Sequence, residues 1–244
     1  MFALFKKEID SFLNSLIGYV VILVFLLTTG LFLWIFPGTD FNILSNGYAN
    51  LDALFILAPW LFLFLIPAIT MRMFSEENKS GTIELLLTRP LKDLQIVTAK
   101  YLAAVILVLF SLLPTLIYCI SIYRLASPYG NIDLASIFGS YIGLIFLCSG
   151  FTAIGVFSSS LTNNQIIAFI VAVLLCFFFY SGFDFFSGLL SANGAGSIFS
   201  LFGISRHYAS LSRGVIDTRD LVYFISLTTF FLLLAKFVLE KRKW

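Results

Sequence analysis

From Leu16 to Phe36 the chain runs 21 residues without a charged side chain, and the same pattern returns five times before the C-terminus. A run of about 20 apolar residues is what a helix needs to cross a hydrocarbon core of about 30 Å. The runs predict spans at about 16–36, 53–71, 101–123, 134–159, 166–183 and 221–239, the last being the shortest apolar stretch. In hydrocarbon every backbone amide and carbonyl must find a partner within the protein, which leaves only helices and closed barrels as spanning structures. Runs of this length select helices. The expected fold class is therefore an all-α polytopic membrane protein with six transmembrane helices, forming one domain over residues 1–244.

Composition agrees: with 60% hydrophobic residues, 29 phenylalanines and 11% charged residues in 244, too little polar surface remains to clothe a water-soluble globule. A net charge of +2, without a basic stripe carrying interleaved aromatics, speaks against nucleic acid as a partner. Cys119, Cys148 and Cys176 each fall inside an apolar run at spacings that fit neither a zinc site nor a disulfide framework. The first apolar run is too long for a signal peptide and lacks a small-residue cleavage site, so the chain is expected to keep it.

Two basic residues precede the first span, five lie between the second and third, and four close the chain, which puts eleven of the 15 Lys and Arg residues on one side. The excess of Lys and Arg in cytoplasmic loops then places both termini, and the 72–100 loop, in the cytoplasm of a cell whose inner membrane holds the chain. Before the first span, Phe2, Phe5, Ile9, Phe12 and Leu16 recur at intervals of three and four. Residues 1–15 thus read as an interfacial amphipathic helix on the inner leaflet, with membrane lipid as its partner. A plain extension of the first span satisfies the pattern too. In the fourth span Gly139 and Gly143 form a GxxxG pair that admits close helix packing, within one subunit or across a dimer seam. The outer loop, 184–220, carries "FFSGLL" and "SIFSLFGI", read as two short re-entrant helices dipping into the outer leaflet. An ordinary solvated loop is the alternative.

Catalytic chemistry is hard to place. No G-x-x-x-x-G-K-[ST] occurs and no glycine precedes a lysine, so the chain has no phosphate-binding loop of its own. His207 is the only histidine, which leaves no imidazole for a nucleophile within the spans. Glu76 and Glu77 lack the further ligands that a metal would require. The first, third, fourth and fifth runs hold no charge, which disfavours an ion or proton path. No catalytic, cofactor or metal site is assigned.

The polar stretch Ser75 to Pro90, "SEENKSGTIELLLTRP", stands out against this background. Ser80 can cap a short helix whose first turn holds Gly81, Thr82 and Glu84. Ile83, Leu85, Leu86 and Leu87 supply its apolar face, and Pro90 ends it after Arg89. Such a two-turn helix, about 12 Å long, is unstable alone and is expected to dock on something.

The longer string "EENKSGTIELLLTRPLKDLQIVTAKYL" resembles the cytoplasmic signature of type 2 ABC transporter permeases. Glu76 or Glu77, Gly81, Thr82, Glu84, Leu86, Pro90 and Lys100 match its pattern, and "RHYASLSRGVIDTRDLVYF" resembles the family's entry into its last span. The resemblance is nearest to the gliding-motility-associated permeases of the GldF type. It implies a non-catalytic half-transporter: a second six-span permease subunit, identical or paralogous, and a separate ABC ATPase subunit that binds ATP and Mg. It further implies that the short segment is a coupling helix. There Leu85 and Leu86 would fill a cleft on the ATPase, and Glu76, Glu77, Glu84 and Arg89 would make polar contacts at the rim. The resemblance leaves open export or assembly for gliding motility, export of polysaccharide, lipid or drug, and a structural anchor for a motility or secretion apparatus.

Overall fold

A computed structural model of the chain describes residues 1–45, 47–87, 92–190 and 199–241, with Leu85, Leu86, Leu87 and Leu190 by their backbone only. The described residues form helices and turns, with no strand among them. They comprise α1 (Phe2–Leu13), α2 (Leu16–Gly30), α3 (Asp52–Thr70), α4 (Arg72–Ser80), α5 (Thr82–Leu87), α6 (Asp93–Leu112), α7 (Leu116–Leu125), α8 (Leu134–Leu161), α9 (Gln165–Phe177), α10 (Phe183–Leu190), α11 (Ile204–Leu211) and α12 (Thr218–Lys241). Six continuous helical stretches are long and apolar enough to cross a membrane: Leu16–Ile35, Asp52–Ser80, Asp93–Leu125, Leu134–Leu161, Gln165–Leu189 and Thr218–Lys241.

Several of these outrun their apolar cores. The second continues nine residues past Met71 as α4, since nothing from Arg72 to Ser80 is a glycine or proline that would stop it. The third starts at Asp93, ahead of the expected 101. The fifth passes through a π-helical turn, Phe178–Gly182, into α10. "FFSGLL" is therefore the end of a long helix, and a separate dipping helix there is not what forms. Within "SIFSLFGI", Ser197 and Ile198 lie outside the described residues, Phe199 and Ser200 are helical, and Gly203 precedes α11, which begins at Ile204.

The centre of the bundle is α8, 72% buried over its apolar window, followed by the second helix at 61%, while the fifth is only 22% buried. Small residues explain the ranking. Gly155 on α8 sits so close to α3 that a Cβ there would lie 2.1 Å from Thr70 Oγ1, and Ala153, Ser158, Ser159 and Ser160 are buried along the same helix. Small side chains let helix backbones approach where lipid supplies no hydrophobic drive. At one end, Gly139 and Gly143 face the end of α11 and the turn after it in the same chain, where added Cβ atoms would come within 2.6 Å of Gly214 Cα and 2.7 Å of Leu211 Cβ.

That end is also held by α11. Pro59 inside α3 has no amide to offer the carbonyl of Phe55, four residues back, and the Tyr208 hydroxyl donates to that carbonyl at 2.7 Å. Next to it, His207 stacks on Tyr223 with centroids 4.0 Å apart and lies 2.7 Å from Asp220 Oδ1. At the opposite end, Leu4 of α1, Met73 and Phe74 of α4, Ile83 of α5, Ile96 and Val97 of α6 and Leu239 of α12 form one buried apolar cluster. The N-terminal helix, α4, α5, the start of α6 and the C-terminal end of α12 therefore share one end of the bundle.

Candidate functional site

Where α3 passes into α4, a side chain from α8 is inserted into the backbone ladder. The Ser159 hydroxyl donates to the Met71 carbonyl at 3.0 Å and accepts from the amides of Phe74 at 3.0 Å and Ser75 at 3.2 Å. One donor and two acceptor positions are all a hydroxyl has, so Ser159 is used completely. The same hydroxyl ties the first turn of α4 to α8.

Along α4 the two adjacent glutamates part company. Glu76 is exposed and pairs with Arg72 at 3.2 Å, one turn back. Glu77 turns inward, its side chain only 11% exposed, and meets Lys7 of α1 at 2.9 Å and Lys100 of α6 at 3.0 Å. Lys100 is fully buried; its ammonium also reaches Glu8 at 2.7 Å and the Met73 carbonyl at 2.6 Å, and lies 5.1 Å from the centre of the Phe74 ring. Burial would lower the Lys7 ammonium, but the Glu77 carboxylate, joined by Glu8 and Glu76, outweighs it and holds Lys7 above the usual lysine range. Glu77 is thus a member of an internal ion cluster, not the rim contact expected of it.

The α4 helix ends at Gly81, whose φ of 72° lies in the left-handed region, the common way for a helix to stop at a glycine. Ser80 accordingly belongs to the last turn of α4, its hydroxyl donating to the Glu76 carbonyl at 2.9 Å; it does not cap α5, and Gly81 lies before α5 rather than in its first turn. The α5 helix is six residues long, Thr82–Leu87. Thr82 and Glu84 are exposed, whereas Ile83 is buried at 6% exposure in the cluster shared with Leu4 and Phe74. One of the four apolar residues expected to face outward is therefore spent inside the protein. Leu85 and Leu86 are described as helical positions only, and Arg89 and Pro90 lie outside the described residues.

The site is an exposed helical hairpin, α4 to α5, carried on a buried ionic and apolar base. Residues 2–235 match the family described as ABC-2 family transporter protein. The chain belongs to the ABC-2 transporter family. No curated protein matches it significantly. The ABC-2 chains are membrane components of transport, generally non-catalytic, and normally work with an ATPase subunit. With six membrane-length helices, this ABC-2 chain is a multi-pass membrane protein.

Sequence reasoning found the hairpin because its polarity breaks a long apolar pattern. It missed Glu8, Lys7 and Ser159, and it held Lys100 only as a motif position. One signal was available for the last: Lys100 stands alone at the edge of a charge-free run, where a basic residue needs an acidic partner.

Proposed function

We propose that the chain is the permease subunit of an ATP-driven ABC transporter, whose α5 helix docks in a cleft on a separate ATPase subunit. The observation that carries this reading is the match of residues 2–235 to the ABC-2 family, together with an exposed hairpin at the same end of the bundle as the N-terminal helix. In this reading Gly81 lets the chain reverse, the backbone of Thr82 to Leu87 presents Leu85 and Leu86 to the cleft, and Glu76, Glu84 and Arg89 surround it. ATP and Mg belong to the partner. Both termini and the hairpin face the cytoplasm, following the bias of basic residues, and α1 lies at the inner-leaflet interface. A second six-span subunit completes the pathway, and the least buried spans open to it are the fifth, at 22%, and the first and sixth, at 28%. Outward movement of an apolar or lipid-linked cargo, as part of gliding motility, is the narrower form of the proposal.

The test is to extract the full-length chain gently from its native membrane and to identify what copurifies. An ATP-hydrolysing subunit recovered in a fixed ratio, with a second permease chain, is the expected result. A chain recovered with neither would overturn the reading.

A further inference from the structure

Lys100, Glu77, Glu8 and Lys7 join three helices at one point. The Lys100 ammonium donates to Glu8 Oε1 and to the Met73 carbonyl and lies 3.0 Å from Glu77 Oε2 as an ion pair. Two positive and two negative charges balance, and Lys7, mostly exposed, closes the cluster on its solvent side. Each partner leads into a different span. Glu8 sits on α1, which turns into the first through Ser15; Glu77 on α4 continues the second; Lys100 on α6 is in the third. Ile83 of α5 is buried in the apolar cluster that also holds Leu4, Phe74 and Val97.

We propose that this cluster is a latch that positions the α4–α5 hairpin, so that a push on α5 is delivered to the first three spans together. The inference rests on the reading that α5 docks on an ATPase, and it assigns Lys100, Glu77 and Glu8 as positioning residues that do not touch that partner. Without the latch, α1 keeps its apolar contacts through Leu4, Phe5, Ile9, Phe12 and Leu13 and the hairpin keeps Ile83 and the Ser159 bonds, but the ionic contacts that fix α1 against α4 and α6 are lost. Buried ion pairs lose to well-packed apolar groups in stability. A fixed geometry shared by three helices is what such a cluster can supply instead.

The test uses the full chain in lipid nanodiscs and its complex with the copurified ATPase. Spin labels on cysteines at Lys6 and Lys79, both exposed, report the distance from α1 to the hairpin in the chain alone. In Glu8→Gln the distance distribution broadens, the ATPase still copurifies at the wild-type ratio, and permease-dependent ATP turnover falls about fivefold or more, the lower end of typical coupling energies. Lys100→Arg keeps the charge and restores a narrow distribution and most of the turnover, whereas Lys100→Met does neither. An unchanged distribution in Glu8→Gln and Lys100→Met, or a broadened one with undiminished turnover, overturns the inference. Should wild type itself capture no ATPase, the docking reading falls, and the distance measurement alone decides whether the cluster holds the hairpin.

Discussion

A proline in a span leaves one carbonyl without its amide, and at Phe55 that gap is closed by a residue far away in sequence. Removing the hydroxyl in Tyr208→Phe strands the carbonyl and should cost about 1 to 3 kcal/mol. Pro59→Ala restores a local amide, so the double variant should lose much less than the sum of the two changes. Unfolding in mixed micelles measures this; strict additivity would contradict the assigned bond. The same scale separates the adjacent glutamates. Glu77→Ala should cost about 3 kcal/mol, because it removes a partner from a buried ammonium. Glu76→Ala should cost under about 1 kcal/mol, since its pair with Arg72 is solvated. Equal losses in the same assay would contradict the inward placement of Glu77. The sequence could not distinguish them, because successive helix positions differ by about 100° in facing and the deciding partners come from α1 and α6.

At the scale of elements, hydropathy located each span but not its ends. An apolar run marks where lipid begins and stops, while a helix stops where the backbone is told to, and Gly81 supplies that instruction after the nine residues that follow Met71. The same distinction merged "FFSGLL" into the fifth helix, where Gly182 was accommodated in a π-helical turn. The position of the hairpin was legible because glycine and charge coincide there. Its attachment was not, since Ile83 is buried in an apolar cluster whose other members come from α1, α4, α6, α8 and α12. Proline, fixed near φ −65°, cannot take the φ of 72° at Gly81. Gly81→Pro should therefore distort the hairpin and speed tryptic cleavage after Lys79 in a protein that still inserts at normal level. An unaltered cleavage rate would count against the reversal at Gly81.

For the whole molecule, the number and order of the spans were legible from the apolar runs, and the identity of the family from "EENKSGTIELLLTRPLKDLQIVTAKYL". The central position of α8 was not, because its small residues act only through the close approach of α3, α6, α11 and α12. The proposed orientation has its own test: a cysteine at Lys79 should resist an impermeant thiol reagent in intact cells, while one at Arg219 should react, and the reverse pattern would invert the topology. The most direct measurement of the docking claim is ATPase recovery and permease-dependent ATP hydrolysis for the chain with Leu85 and Leu86 both changed to Asp. Buried apolar anchors carry most of an interface's energy, so the variant should reach the membrane at normal level yet lose both the bound ATPase and the dependent turnover. Full recovery of the ATPase with wild-type turnover would contradict the account.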